Sequence, residues 1–142
     1  MDKNTPKVLY HGSPLKKEIL IPKKATGLNR KEDKLSAVYA TRLKEFAIVM
    51  AILSSSGIKS KTIINIKGKR INGIFSEGEI KSEFVYLYYL SPKSFRNIPK
   101  GSHQYCSFEE VKPIRIEEIP VKDYIHLILK NSGLKPRGSL SR

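Results

Sequence analysis

Cysteine is nearly absent from this 142-residue chain, in which Cys106 is the only one. A single cysteine cannot form an internal disulfide, so the sequence is not that of a small disulfide-stabilised secreted domain. No apolar run approaches the length of a membrane span, and residues 1–6 lack the apolar core and cleavage site of a signal peptide. These absences predict a cytoplasmic protein that does not interact with a membrane.

Motifs for several common kinds of chemistry are also missing. The histidines and the cysteine show neither a Cys-x-x-Cys nor a His-x-x-x-His spacing, so we predict no metal site. There is no Walker loop for ATP and no Gly-x-Gly-x-x-Gly turn of a Rossmann dinucleotide site. No activating partner for Cys106 can be predicted, and we expect it to be a buried structural thiol.

Acidic residues are scarce beside basic ones, 13 against 27, which gives a net charge of +14. A field of this sign attracts polyanions such as nucleic acid, nucleotide pyrophosphate or an anionic membrane face, without choosing among them. Lysine is spread along the chain with no long unbroken basic run, so a generally lysine-rich composition is the alternative explanation. Nucleic acid or another polyanion is therefore a candidate partner.

Length and composition predict one globular domain. Apolar residues make up 39% of the chain and charged residues 28%, and no repeat period is visible. We expect a single domain over residues 1–142, with its core at about 7–130 and a mobile tail at 134–142.

Apolar patterning predicts many strands and few helices. A strand at 7–10 precedes a long basic connection at 14–33, and a short strand at 37–40 leads into a helix for which Thr41 is a plausible N-cap. The apolar face of that helix comprises Leu43, Phe46, Ala47, Met50, Ala51 and Leu53. Further strands are predicted at 62–66, 71–75, 84–90 and 111–119, and a last short helix at 122–130. The unbroken apolar character of 84–90 predicts a central strand covered on both faces, and the fold class is α+β.

The stretch 8–13 is the first candidate site. His11 follows an apolar strand and precedes Gly12, so its side chain is expected at a strand end beside a crevice. A glycine there lets a ligand approach the backbone closely, with an N–H and a C=O ready for a planar amide. The alternative is a capped turn without chemistry.

Three short motifs together resemble a known family. They are His11-Gly12-Ser13 on the first strand, Val38-Tyr39-Ala40 on the strand leading into the helix, and Gln104-Tyr105-Cys106-Ser107-Phe108 near the end. Their order and strand contexts are similar to the ADP-ribosyltransferase superfamily, especially its poly(ADP-ribose)-polymerase-like branch, which carries His-Gly-Ser or His-Gly-Thr, a Tyr-Phe-Ala-like strand and a late Glu-Tyr. The resemblance spans roughly residues 7–120.

The resemblance implies split β-sheets around an NAD cleft, with one or two packed helices. It implies that NAD is the substrate, bound by His11, Gly12, Ser13 and Tyr39. The histidine would donate a hydrogen bond to a ribose hydroxyl, the glycine backbone would hold the nicotinamide carboxamide, and the tyrosine would stack on nicotinamide. The implied catalytic residues are His11, Tyr39 and Gln104. Gln104 stands where the family has a glutamate, so it can orient the ribose but brings no charge to a developing cation.

Several alternatives stay open at this point. Tyr39 could instead be a core aromatic, and Glu109 or Glu110 could supply the carboxylate if the late strand is shifted, although a solvated connection is favoured for both. An inactive family member that binds nucleotide or nucleic acid is the runner-up function. A basic nucleic-acid-binding domain without an NAD site is a third. The related RNA 2′-phosphotransferases carry additional Arg and His motifs that this sequence lacks.

Overall fold

The structure is a computed structural model that describes residues 6–24, 36–54, 63–67, 70–75 and 78–130. The predicted basic loop beyond residue 24 and the predicted tail at 134–142 lie outside these ranges. One α-helix and ten strands form the described part: β1 Leu9–Ser13, β2 Lys23–Lys24, β3 Ser36–Thr41, α1 Lys44–Leu53, β4 Ile63–Lys67, β5 Arg70–Phe75, β6 Phe84–Leu90, β7 Phe95–Asn97, β8 Gln104–Ser107, β9 Arg115–Pro120 and β10 Ile128–Lys130. The expected α+β class is confirmed.

The strands form two sheets. The larger has the order β7-β8-β3-β1-β6-β9, with β2 beside β3, and all its pairs are antiparallel. The smaller has the order β10-β5-β4, in which β10 runs parallel to β5. In the described part of the chain, no helix is long and apolar enough to cross a membrane.

Strand β6 is an interior strand beside the edge strand β9, and it is covered on both faces, as its apolar sequence predicts. It lies between β1 and β9, and Val85, Leu87, Tyr88 and Leu90 are fully buried. Successive side chains of a strand point to opposite faces, so a run that is apolar throughout needs cover on both. Val85 and Leu87 pack with α1, while Tyr88 and Leu90 pack with Leu9 on the other face.

Helix α1 lies between the two sheets. Its residues Ala47, Ile48, Ala51 and Ile52 pack toward the large sheet, and Val49 and Leu53 pack toward β5. The resemblance implied split sheets around a cleft with packed helices. Among the described residues, α1 occupies the space between the two sheets, because its apolar surface is wide enough to be buried on two sides.

Thr41 is not the N-cap of α1. The helix begins at Lys44, and its N-cap position is Leu43. The Thr41 hydroxyl instead accepts a hydrogen bond from the Leu43 backbone N–H at 3.0 Å, within the turn that joins β3 to the helix. The side chain stabilises the approach to the helix rather than its first turn.

The predicted helix at 122–130 is wrong. Two 3-10 turns occupy Val121–Asp123 and Ile125–Leu127, and the chain then enters β10. Ile128 pairs with Gly73 of β5, so tertiary strand pairing overrides the helical spacing of the apolar residues.

The predicted strand at 111–119 is shorter than expected, because regular pairing begins only at Arg115. Val111 instead exchanges two backbone hydrogen bonds of 2.9 Å with Leu20. Pro113 lies between the two segments and has no N–H to continue a ladder.

Candidate functional site

The three sequence motifs meet on neighbouring strands of the large sheet. His11 lies on β1, Tyr39 on β3 and Gln104 on β8, and these strands adjoin in the order β8-β3-β1. Thr41 pairs with Tyr10 on one side and with Gln104 on the other. Motifs from distant parts of the sequence therefore share one region of the fold.

The sheet opens between β1 and β3. The two strands are paired at a single position, Tyr10 opposite Thr41, whereas His11 to Ser13 continue in register with β6. At the start of this gap, the His11 Nδ1 lies 2.7 Å from the carbonyl oxygen of Tyr39. The histidine ring thus occupies the place where the backbone ladder between β1 and β3 stops.

This contact places a proton on one nitrogen of the His11 ring. A carbonyl oxygen can only accept, so Nδ1 carries a proton and donates it to Tyr39. Nδ1 is thereby occupied, and the predicted donation from His11 to a ribose hydroxyl of NAD stays a prediction.

His11 and Tyr39 meet through the Tyr39 backbone rather than through both side chains. The Tyr10–Thr41 pair fixes the face of each strand, and alternation then assigns Tyr39 to the face of Tyr10 and Thr41, and His11 to the opposite face. Consistent with this, the His11 ring packs edge-to-face on Tyr88, with ring centroids 5.6 Å apart. The His11 and Tyr39 side chains therefore do not line one face of the sheet, contrary to the expectation that both line the NAD cleft.

Gly12 is required by the packing of α1. A Cβ atom at this position would lie 1.9 Å from the carbonyl oxygen of Ala47 and 3.0 Å from the Cβ of Ala51. We interpreted the glycine as permitting close approach of a ligand, but the helix fills the space above its α-carbon. A carboxamide could reach Gly12 only within the sheet plane, at its N–H and C=O. The hydroxyl of Ser13 accepts a hydrogen bond from the Leu15 N–H at 3.0 Å, in the turn after β1.

The Gln104 side chain stabilises the turn between β7 and β8. Its Nε2 donates to the carbonyl oxygen of Ile98 at 2.8 Å. Its backbone carbonyl accepts from the Ile98 N–H and from the side-chain amide of Asn97. The predicted catalytic position therefore has a structural function of its own.

Sequence reasoning missed His103. Its Nδ1 is 2.9 Å from the Thr41 hydroxyl oxygen, and its ring lies 4.4 Å from the Phe46 ring between centroids. It therefore joins the start of β8 to the first turns of α1, next to Gln104. No sequence signal predicted this contact, because it depends on the pairing of β8 with β3.

A second missed group joins α1 to β6 and β9. The Tyr89 hydroxyl donates to Glu117 at 2.6 Å, and Arg115 lies over the ring at 5.0 Å. The hydrogen bond to Glu117, with burial, raises the pKa of Tyr89. The hydrogen bond with Tyr89 also raises the pKa of Lys44. Tyr10 packs edge-to-face on the same ring at 5.3 Å.

The remaining expectations concern burial. Cys106 is fully buried, as predicted. Glu109 and Glu110 are both exposed, which confirms the expected solvated connection.

Among the residues that the structure describes, no group of three or more His, Cys, Asp or Glu side chains could hold a metal ion.

A separate groove of about 660 Å³ lies where β6 begins and β9 ends. Its lining comprises Ile80, Lys81, Ser82, Glu83, Phe84, Pro120, Val121, Lys122 and Ile125. None of the motif residues belongs to this lining, so the groove is distinct from the β1–β3–β8 region.

Comparison with family models, with curated proteins and with solved structures finds no match to this chain.

Proposed function

We propose that this chain is an ADP-ribosyltransferase-like protein that binds NAD where β1, β3 and β8 adjoin, and transfers its ADP-ribose to an acceptor or to water. The observation that carries the proposal is the convergence of three motifs on three neighbouring strands, at the place where the sheet opens. Each motif is short, and their meeting in space adds support that none supplies alone.

The residues present suit NAD as a substrate. Tyr39 is half-buried, and its ring is the aromatic surface that we assign to stacking on nicotinamide. Main-chain groups alternate in direction along a strand, so only every second residue of 11–13 turns its N–H and C=O toward the gap, where a planar carboxamide would bind. His11 positions the Tyr39 backbone at the edge of the proposed site, through the 2.7 Å hydrogen bond from Nδ1 to the Tyr39 carbonyl oxygen.

The proposed reaction breaks the bond between C1′ of the ribose and the nicotinamide nitrogen. Nicotinamide leaves with the electron pair, and the acceptor oxygen or nitrogen bonds to C1′ and loses its proton. Positive charge develops on the ribose in between, and a neutral Gln104 stabilises that charge weakly. The Gln104 side-chain amide also donates a hydrogen bond to the Ile98 carbonyl. We therefore expect slow turnover.

The second candidate is an inactive family member that binds NAD or another nucleotide without cleaving it. The observation that favours it is again the hydrogen bond from Gln104 to Ile98, because a residue that holds a turn is explained without catalysis.

Calorimetric titration with NAD, followed by an assay of nicotinamide release, separates the two candidates. Gln104→Glu places a charge where positive charge develops, so it should raise the rate of release while changing NAD affinity little. Glu cannot donate to the Ile98 carbonyl, so stability should fall by about 1–3 kcal/mol, which thermal unfolding measures. Glu109→Gln and Glu110→Gln are the matched controls and should have smaller effects.

Three outcomes are decisive. Faster release by Gln104→Glu supports the enzyme. NAD binding with no release by any variant supports the inactive module. Loss of release in Glu109→Gln or Glu110→Gln, with a silent Gln104→Glu, would contradict the position assigned to the catalytic residue.

A further inference from the structure

A row of three side chains crosses the large sheet beside the proposed NAD site. Arg96 on β7 pairs with Cys106 on β8, and Cys106 pairs with Tyr39 on β3. Directly paired residues of antiparallel strands project to the same face, so all three lie on the face that carries Tyr39. Since neighbouring strands are about 4.8 Å apart, the backbones of Arg96 and Tyr39 are separated by about 10 Å.

The row changes in burial and charge along its length. Cys106 is fully buried, Tyr39 is half-buried and Arg96 is exposed. Its only charged member is the Arg96 guanidinium, so no acidic neighbour within the row neutralises it. An arginine fork matches two oxygens of a phosphate group, and it is always charged at physiological pH.

We infer that Arg96 binds the pyrophosphate of a dinucleotide whose nicotinamide ring stacks on Tyr39. This assignment rests on the proposed function and deepens it, because it names a phosphate-binding side chain. One ribose separates the nicotinamide from the pyrophosphate, and one strand, β8, separates Tyr39 from Arg96. The substrate is thereby oriented with nicotinamide over β3, its ribose over β8 beside Gln104, and pyrophosphate toward β7.

The assignment differs from a general effect of the basic composition. A field from a net charge of +14 acts on any polyanion and does not depend on one side chain. Lys93 provides the matched control, because it is an exposed cation in the 3-10 turn Pro92–Ser94, three residues before Arg96 and outside the row. Arg96→Gln and Lys93→Gln remove the same charge from neighbouring positions.

The test uses the intact chain and compares NAD with nicotinamide riboside, which lacks the pyrophosphate and the adenosine beyond it. Dissociation constants for NAD and for nicotinamide riboside are measured by calorimetry or by chemical-shift titration. Arg96→Gln should raise the dissociation constant for NAD about tenfold, the loss of one charge-assisted interaction, and leave that for nicotinamide riboside unchanged. Arg96→Lys should fall between parent and Arg96→Gln, because it keeps the charge but loses the fork. Lys93→Gln should bind both ligands as the parent does.

Three results would overturn this assignment alone. The first is that the parent and Arg96→Gln bind NAD equally, and the second is that Arg96→Gln weakens the binding of both ligands by the same factor. A Lys93→Gln variant as weak as Arg96→Gln would also overturn it, because a general field would then explain the binding. A parent that binds neither ligand would instead overturn the proposed function, and the assignment with it.

Discussion

Packing against α1 leaves no room for a Cβ atom at Gly12, a residue that is also assigned to the proposed NAD site. A Cβ there would lie 1.9 Å from a main-chain oxygen of Ala47, which cannot rotate away. Gly12→Ala should therefore lower the free energy of unfolding by about 3 kcal/mol, measured by chemical denaturation. Adding Ala51→Gly should not restore stability, because it removes only the milder contact at 3.0 Å. A Gly12→Ala variant of parental stability would contradict the described packing of α1 on β1.

Substitutions of Tyr39 distinguish stacking on nicotinamide from a purely structural role. Tyr39→Ala should weaken NAD binding by roughly 1–2 kcal/mol, the scale of one aromatic contact, whereas Tyr39→Phe should bind as the parent does. His11→Ala removes the hydrogen bond to the Tyr39 carbonyl that positions this strand, and it should weaken binding by a similar amount. Titration calorimetry measures both, and circular dichroism checks that each variant folds. Equal NAD binding by the parent, Tyr39→Ala and His11→Ala would make both residues structural.

At the scale of elements, Tyr88 fixes the segment that follows β1. Its hydroxyl donates to the carbonyl of Leu15 and accepts from the N–H of Lys17, each at 2.7 Å. Tyr88→Phe leaves both backbone groups without this partner and should cost about 1–3 kcal/mol. Hydrogen exchange at the Lys17 amide should accelerate. Tyr86→Phe, two positions earlier on the same face, is the control and should change neither quantity; an unchanged Lys17 rate in Tyr88→Phe would contradict the assigned anchor.

The stability that Tyr88 contributes should depend on pH. Burial raises the pKa of the Tyr88 hydroxyl above its ordinary 10.0. A group whose pKa is raised on folding contributes fully to stability below its unfolded-state pKa, and that contribution is lost as the pH rises through the folded-state pKa. The parent should therefore lose stability more steeply than Tyr88→Phe above about pH 10.

Sequence patterns predicted the elements in which the spacing of the apolar residues reflects which of them are buried. The continuous apolar run predicted the burial of β6, and helical spacing predicted α1 as an element. The predicted face of α1 was only partly right, because Met50 is 40% exposed while Ile48, Val49 and Ile52 are buried. The helix prediction for residues 122–130 was wrong for the opposite reason. Its apolar spacing fits a helix, but Ile128 pairs with Gly73, and only the complete fold makes that strand edge available.

The candidate site was predictable in its residues but not in its contacts. The motifs at His11, Tyr39 and Gln104 stand out in the sequence, and the structure places them on adjoining strands. The bonds from His11 to the Tyr39 carbonyl and from Gln104 to the Ile98 carbonyl have no local signal, since each joins separate elements or the two sides of a turn. Arg96 was missed because its relation to Tyr39 exists only through the register of β8.

At the scale of the whole molecule, the net charge of +14 predicts how any nucleic acid would bind. Contacts should be mainly to phosphate, and the association constant should fall steeply as salt rises, because bound counterions are released. Fluorescence anisotropy with single-stranded and double-stranded oligonucleotides between 50 and about 200 mM salt covers the useful range. Binding that is absent at low salt, or that does not weaken across this range, would contradict the prediction.

The central claim is that NAD binds where β1, β3 and β8 adjoin, and mapping its binding site on the intact chain tests this most directly. Backbone amide shifts are recorded by NMR as NAD is added to the isotope-labelled protein. We expect saturable shifts that are largest at Gly12, Tyr39 and Gln104, and much weaker saturation in Tyr39→Ala. Shifts that are absent at high NAD concentration, or that are confined to the groove at residues 80–84 and 120–122, would contradict the account.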